Sequence, residues 1–227
     1  LPLAKDGSYL VAGELFEKPR YQGSGSSMIN PTFLSTPKTA FDEKKVNYKY
    51  AKGYKENQLA PDEKLIKEAV ALASGYEKIL VFAGLTDYVE SEGADRENMR
   101  LPENQLALID ALTKTDKKII VILYGGSPVE LPFADNVSAI LNMYLPGQNG
   151  GTAMANLVFG DKTPCGKLAE TWAISYDDVP FGKDFGKTRN EIYKESIFVG
   201  YRYYLTADKK VRYPFGYGLS YTSFDYR

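Results

Sequence analysis

Two runs of almost entirely apolar residues limit the folds that this chain can adopt, "KILVFAG" at 78–84 and "KIIVILYGG" at 118–126. A strand with apolar side chains on both faces must be covered on both faces, as the central strands of a parallel sheet are. Further strands are expected at 8–15, 46–50 and 137–144, and helices at 61–75, 102–114 and 150–160. This alternation predicts an α/β fold whose mostly parallel sheet carries helices on both faces.

The composition excludes several kinds of site. The chain of 227 residues has a net charge of −1, with 28 basic and 29 acidic residues, so no nucleic-acid or anionic-membrane surface is expected. The absence of histidine removes the commonest metal ligand and general base. The single cysteine, Cys165, excludes an internal disulfide and a multi-cysteine metal site. Any catalysis must use carboxylates, lysine or tyrosine, and neither a metal nor another cofactor is expected.

The apolar content and the first residue bear on where the chain acts. No apolar run is long enough to span a bilayer. The chain begins at Leu1 rather than at methionine, so we expect it to be a piece of something longer. A single cysteine and the lack of an export signal favour the cytoplasm.

Polar loops follow the predicted strands, at the edge where sites in parallel sheets lie. They are "YQGSGSS" at 21–27, "ESEGADR" at 90–96, "YGGSPVE" at 124–130 and "YLPGQNGG" at 144–151. We therefore expect all four loops to open on one edge of the sheet. Of the four, the loop at 90–96 is the candidate for a catalytic site, although a loop so rich in charge is usually only solvated.

The other motifs have ordinary structural explanations. The loop at 21–27 has Met28 where a dinucleotide fingerprint needs glycine, and it lacks the lysine of a phosphate-binding loop, so polyol binding and a plain turn both remain open. Glycine before the helix at 150–160 favours turn chemistry over an anion site. Cys165 has no histidine partner, so a packing role is favoured. The tyrosines of 201–204 are more typical of packing than of sugar stacking.

Several long motifs, in order and at the right separations, change this interpretation. They are "GLTDYVESEGADRENMRLPENQLALIDAL", "VILYGGSPVELPFADNVSAIL", "YLPGQNGGTAMANLVFGDKTPCGKLAETW", and "IFVGYRYY" followed by "YPFGYGLSYTSFDY". Together they closely resemble glycoside hydrolase family 3, the β-glucosidase family, over essentially the whole chain. The resemblance implies a three-layer α/β sandwich with a six-stranded, mostly parallel sheet, packed beside a (β/α)8-type barrel.

The resemblance also implies a domain organisation. Residues 1–227 are expected to form a single family 3 α/β-sandwich domain. Within it, the short aromatic-rich segments themselves, rather than the resemblance, predict for residues 197–227 a β-hairpin, turning at Asp208, and an aromatic C-terminal wrap. No segment of the chain resembles the barrel, and the fibronectin-like domain that often follows in the family is also absent.

Family members divide the chemistry between domains. The barrel supplies the carboxylate nucleophile and most sugar contacts, while the sandwich supplies a general acid/base glutamate from a Glu-Gly-x-Asp-Arg loop. That pattern falls on 92–96, so the resemblance gives the acid/base role to Glu92 and makes Asp95 and Arg96 an internal brace of the loop. Glu90 is expected at the rim or in solvent. Ala94 stands where the family often has an aromatic or bulky residue.

A second loop carries a substrate contact by the same resemblance. The "GSGS" segment at 23–26 resembles the one that reaches the sugar pocket in family members. Ser26 is therefore the candidate for a hydrogen bond to the glycone, ahead of Ser24 and Ser27. Cys165 replaces the serine usual in "NPSGKL", a change of packing rather than of chemistry.

The function implied is that of the acid/base domain of a retaining β-glycosidase. A β-glucosidase that hydrolyses terminal non-reducing β-D-glucosyl residues is favoured, and the chain alone is expected to be inactive. Its partners would be a β-glucoside or oligosaccharide and the barrel of the same enzyme, with no nucleic acid and no membrane. The same mechanism on β-xylosides or α-L-arabinosides stays open, as does a non-catalytic carbohydrate-binding or docking module.

Overall fold

The computed structural model describes residues 1–184, 186–187, 189–190 and 192–225. The chain divides into two compact units. The first comprises Leu1–Arg96, Leu101–Ser127 and Pro132–Thr163, and the second comprises Glu97–Arg100, Pro128–Leu131 and the described residues from Pro164 onward.

The first unit is built on a parallel sheet. Its strands are β1 (Ser8–Ala12), β2 (Asn47–Ala51), β3 (Lys78–Gly84), β4 (Lys118–Tyr124) and β5 (Ala139–Tyr144). They lie in the order β2-β1-β3-β4-β5, and every neighbouring pair is parallel. Over the described residues the sheet has five strands, not the six that the resemblance implied. A further short strand, Trp172–Ala173, instead pairs antiparallel with Val211–Tyr213 in the second unit, and so does not extend the sheet.

The two apolar runs occupy the centre of the sheet, as predicted. Residues 79–83 of β3 and 119–123 of β4 are all buried. At the edge, β2 alternates between exposed and more buried positions, because only one of its faces is covered. The hydrophobic core of the first unit thus centres on β1, β3 and β4.

The strand order determines the face of the sheet on which each helix lies. They are α1 (Pro37–Glu43), α2 (Glu63–Ala73), α3 (Glu103–Thr113) and α4 (Gly150–Val158). Crossovers between parallel strands are right-handed, so the reversal of direction after β2 puts the helices before and after that strand on opposite faces. Accordingly α1 packs against α4, and α2 packs against α3. The prediction of an α/β fold with a mostly parallel sheet is confirmed.

Local sequence signals set the helix starts. The Thr36 side chain caps α1 and accepts from the Thr39 amide, and Pro37 occupies the first turn. The Asp62 side chain caps α2 and accepts from the amides of Lys64 and Leu65. No helix of the described segments is both long and apolar enough to cross a membrane.

The second unit corrects one prediction. Residues Tyr201–Thr206 form a helix, α5, rather than the first arm of a hairpin. Its spacing is helical, with Tyr204 buried, although tyrosine favours strands in isolation. The other expected arm, β7 (Val211–Tyr213), pairs with β6 (Trp172–Ala173) instead. The turn itself lies where it was expected, with Asp208 at φ 49°.

Candidate active site

The sheet has one topological switch point, where β1 lies between β2 and β3. The chain leaves β1 towards β2 on one side, whereas β3, β4 and β5 follow on the other side. Ligands of open α/β sheets bind at such a point, beyond the carboxyl ends of the strands. The segments that begin here carry Ser26, after β1, and Glu92, after β3.

Glu92 stands at the tip of a tight turn. The Ala94 amide donates to the Ser91 carbonyl, so Glu92 and Gly93 are the two central residues. Gly93, the second central residue, has φ 80°, and β-turns with a positive φ at this position favour glycine there. The turn presents the Glu92 side chain to solvent.

Ser26 holds the carboxylate of Glu92 with two donors. Its hydroxyl lies 2.7 Å from Oε2, and its amide donates to the same oxygen. Gly25 makes this approach possible, since it has φ 91° and a Cβ there would lie 2.3 Å from Glu92 Oε2. The second glycine of "GSGS" is therefore required by close contact with the glutamate, besides its backbone conformation.

This contact sets the charge of Glu92 in the chain as it stands. Hydrogen bonds from the Ser26 amide and hydroxyl lower the pKa of Glu92, and its slight burial opposes them only weakly. Glu92 is thus held as the carboxylate, which can accept a proton. To donate a proton, Glu92 requires surroundings that raise its pKa.

A second cluster lies beneath the turn and centres on Arg20. Its side chain is only 5% exposed. Nη1 lies 3.2 and 3.3 Å from the carbonyl oxygens of Leu85 and Thr86, the first two residues after β3, and 2.9 Å from Glu90 Oε2. Arg20 therefore joins the segment after β1 to the segment after β3.

Glu90 extends this cluster to β4. Its carboxylate accepts from the Gly126 amide at 2.8 Å and from the Ser127 hydroxyl, as well as from Arg20. The prediction that Glu90 faces the rim or solvent is wrong, since its side chain is 19% exposed and takes three donors. The reason is a turn directly after β3, in which the Glu90 amide donates to the Thr86 carbonyl and the chain folds back over the strand ends.

Asp87 connects the same arginine to the serine loop. Its carboxylate lies 3.0 Å from Arg20 Nε and accepts from the Ser24 hydroxyl at 2.6 Å. Besides Arg20, the serine loop at 23–27 is consequently joined to the segment after β3 through Ser24 with Asp87 and through Ser26 with Glu92.

The predicted brace residues directly follow the turn in the chain, on its C-terminal side. Asp95 is exposed and Arg96 is half-buried. Burial lowers the pKa of the Arg96 guanidinium, and the negative charge of Glu90 opposes that shift. The charge of Arg96 therefore acts within electrostatic reach of Glu90.

The remaining motifs have structural explanations. Gly147 has φ 75° and its carbonyl accepts from the Gly150 amide, which is the turn chemistry favoured for this loop. A Cβ on Gly151 would lie 2.2 Å from the Thr36 carbonyl oxygen, so that glycine serves the contact of α4 with the start of α1. Cys165 is exposed. Across the segments with assigned structure, no three His, Cys, Asp or Glu residues are grouped to hold a metal ion.

A model of the glycosyl hydrolase family 3 C-terminal domain matches residues 1–221. The chain belongs to glycoside hydrolase family 3. It is 47% identical to thermostable beta-glucosidase B of Acetivibrio thermocellus over all of this chain and 30% of that protein. It is 38% identical to an exo-alpha-(1->6)-L-arabinopyranosidase of Bifidobacterium longum, over 99% of this chain and 30% of that protein.

The fold of this family 3 chain matches solved relatives. A GH3 beta-glucosidase of Bifidobacterium adolescentis superposes with a TM-score of 0.91 at 40% identity, over 98% of this chain and 33% of the solved one. The resemblance inferred from the motifs is confirmed, and the chain spans about a third of the length of these relatives.

Three residues of this family 3 site were not predicted from the sequence, namely Arg20, Asp87 and Ser127. A charged residue in a loop is normally exposed, and an arginine is buried only when its charge is paired. Apart from the Gln22 carbonyl, the partners of Arg20 lie 65 or more residues further along the chain, beyond the reach of any local pattern.

Proposed function

We propose that this chain supplies the general acid/base, Glu92, to a retaining β-glycosidase. The favoured activity is that of a β-glucosidase acting on terminal non-reducing β-D-glucosyl residues. The observation that carries the proposal is the place of Glu92, an exposed carboxylate at a turn tip over the switch point of the sheet, held by Ser26. Its pattern of neighbours, Glu-Gly-x-Asp-Arg at 92–96, is that of the family.

The chemistry requires one group to act twice. A carboxylic acid first protonates the leaving oxygen of the glycosidic bond, and the resulting carboxylate then takes a proton from the attacking water. In the closed site, burial and a nearby negative nucleophile would raise the pKa of Glu92 for the first step. Contact with Ser26 favours the ionised form in the chain without substrate, so this contact must change before the first step.

The nucleophile is proposed to come from the remaining domains. A retaining mechanism places two carboxyl groups about 5 Å apart on either side of the bond. Two carboxylates close to Glu92 in sequence are already occupied, since Glu90 binds Arg20, Gly126 and Ser127, and Asp87 binds Arg20 and Ser24. The chain also spans only 30% of its β-glucosidase relative, which leaves room for a barrel in the complete enzyme.

Ser26, Asp95 and Arg96 have supporting roles in this proposal. The Ser26 hydroxyl would turn from Glu92 to the glycone when substrate binds, which releases the carboxyl group to hold a proton. Asp95 and Arg96 would brace the turn from its C-terminal side. The half-burial of Arg96 and its electrostatic coupling to Glu90 support that role.

Sugar specificity has a second candidate. The relative named exo-alpha-(1->6)-L-arabinopyranosidase matches 99% of this chain at 38% identity, so action on an arabinoside by the same mechanism is the alternative. Both activities use Glu92 in the same way, and the sugar would be selected mainly by the barrel.

The test uses the complete enzyme, meaning the polypeptide that joins this chain to the remaining domains. Glu92→Ala should slow hydrolysis of glycosides with poor leaving groups by about 100-fold or more, because these need protonation. Activated aryl glycosides, whose leaving groups depart unprotonated, should be slowed far less in the glycosylation step. Equal losses for both substrate types would contradict the assignment.

A further inference from the structure

One arginine is linked to both sides of the Ser26–Glu92 contact. Arg20 binds Glu90, which stands two residues before Glu92. Through Nε it also binds Asp87, whose carboxylate accepts from Ser24, two residues before Ser26. Both loops that meet at the candidate acid/base are thus linked to the same buried guanidinium, each at a position two residues before the contact. The link is direct for Glu90 and passes through Asp87 for Ser24.

We propose that Arg20 and Glu90 form a positioning clamp that fixes the Glu92 turn over the carboxyl ends of β1, β3 and β4. This inference rests on the proposed acid/base role of Glu92. Neither residue touches the reacting atoms in this account, so both are positioning residues.

The contacts of the clamp are of the strong kind. The pair of Arg20 with Glu90 is charged on both sides, at 2.9 Å, and hydrogen bonds between charged groups are roughly twice as strong as neutral ones. Arg20 also donates to two backbone carbonyls directly after β3, which anchors it to the rigid centre of the sheet. Glu90 in turn reaches the backbone amide of Gly126, directly beyond β4.

Glu92 itself has little other support. It is exposed, and the described hydrogen bonds of its side chain are to Ser26, which is itself exposed. The position of Glu92 must therefore be fixed by the start of its turn. Glu90 directly precedes that turn and binds Arg20. Misplacing a catalytic group by 1 Å can slow a reaction by about 100-fold, so a clamp two residues away can control the rate.

The central experiment is Glu90→Gln in the complete enzyme. Glutamine keeps the size of the side chain and loses the charge that pairs with Arg20. For a glycoside with a poor leaving group, we expect kcat to fall about ten-fold or more with KM changed less than about three-fold. The loss should be much smaller for an activated aryl glycoside. Azide should not restore turnover, since Glu92 is still present and its charge and bulk oppose entry of an anion.

Two controls separate positioning from stability. Glu77→Gln removes another carboxylate paired with a cation, Lys118, at the opposite edge of the sheet, and should leave both substrates unaffected. Ser127→Ala removes one donor to Glu90 with minimal disturbance and should give a weaker form of the Glu90→Gln pattern. It keeps the proposal testable if Glu90→Gln folds poorly.

A measurement on this chain alone needs no activity. In Glu90→Gln, hydrogen exchange should speed up at 23–27 and 90–96, while amides in β3 and β4 keep their rates. Unchanged exchange in both loops would overturn the clamp. So would equal losses of kcat on both substrates, because that result indicates only less folded enzyme. If Glu92→Ala itself shows no dependence on the leaving group, the proposed function fails first, which keeps the two failures distinct.

Discussion

The amide and the hydroxyl of Ser26 both donate to the carboxylate of Glu92, although 66 residues separate the two in the sequence. Sequence resemblance gives these residues separate roles, one towards the sugar and one towards the leaving group. The structure brings them into direct contact. Any role of Ser26 towards substrate therefore changes the state of Glu92.

Replacing Ser26 with alanine should raise the pKa of Glu92. The hydroxyl is one of the two hydrogen bonds that lower this pKa, and the amide bond alone should retain part of the effect. Carbon NMR of the Glu92 carboxyl group in this chain, followed through an acid titration, measures the shift. Ser27→Ala is the matched control and should leave the titration unchanged. An unaltered Glu92 titration in Ser26→Ala would contradict the account.

Gly25 and Gly93 allow the effect of close contact to be separated from the effect of backbone conformation. Both have φ between 80° and 91°, but a Cβ would meet Glu92 only at Gly25, since that at Gly93 has nothing within 4 Å. Alanine at either position should reduce the free energy of unfolding by about 1 kcal/mol, because the left-handed conformation disfavours side chains. Only Gly25→Ala should displace Glu92 and raise its pKa.

Urea unfolding and the same NMR titration measure these two outcomes for Gly25→Ala and Gly93→Ala. An equal rise of the Glu92 pKa in both variants would show that turn conformation, rather than contact with Gly25, controls the carboxylate. A loss of stability confined to Gly25→Ala would contradict the expected backbone effect at Gly93.

Asp161 should make the first unit sensitive to acid. It pairs with Lys5 and with Lys44, the latter at 2.7 Å, and these hydrogen bonds lower its pKa from 3.8 to about 2. A carboxylate whose pKa falls on folding contributes stability that is fully present above its unfolded pKa. That stability is lost as the pH falls through about 2. Asp161→Asn should therefore lower the urea midpoint at pH 7, with little difference from wild type near pH 2.

Asp110→Asn is the control for this effect, because Asp110 forms an exposed ion pair with Lys114 within one helix. Such pairs contribute little, so its urea midpoint at pH 7 should stay closer to wild type. If Asp161→Asn were equally destabilised at pH 2 and pH 7, the ion pairs would not be the cause.

The two site loops, 23–27 and 90–96, should be protected from hydrogen exchange by the remaining domains. Interfaces between domains bury on the order of 1,000 Å². Supplying those domains in trans should slow hydrogen exchange at 23–27 and 90–96, while the amides of α2 serve as an internal reference.

The chain alone should be inert towards aryl β-glucosides, because the nucleophile is proposed to come from another domain. Turnover by the pure chain would contradict that assignment of the nucleophile.

The sequence predicted the parts of the fold that depend on local pattern. The apolar runs of 79–83 and 119–123 require burial on both faces, and that requirement identified the centre of the sheet. The hairpin expected within 197–227 was wrong because Tyr201–Thr206 is helical with Tyr204 buried, although aromatic residues such as tyrosine favour strands in isolation. The resemblance supplied the sixth strand, which the short segment Trp172–Ala173 does not provide.

The candidate site was predictable only in part, for a related reason. Glu92 was identified from a motif of five consecutive residues, which a single sequence carries in full. Glu90 was placed at the rim or in solvent because its partner Arg20 lies 70 residues earlier. An ion pair across that separation depends on β1 and β3 being neighbours, and no local pattern encodes it.

The most direct measurement of the central proposal is azide rescue of Glu92→Ala in the complete enzyme, with an activated aryl β-glucoside as substrate. Removal of the carboxylate leaves the glycosyl-enzyme without a base to activate water, and azide can attack it without base assistance. We expect turnover to rise with azide concentration and the product to be a glycosyl azide of retained configuration. A Glu92→Ala enzyme that azide does not accelerate, beside a Glu90→Ala enzyme that it does, would contradict the assignment of Glu92 as the acid/base.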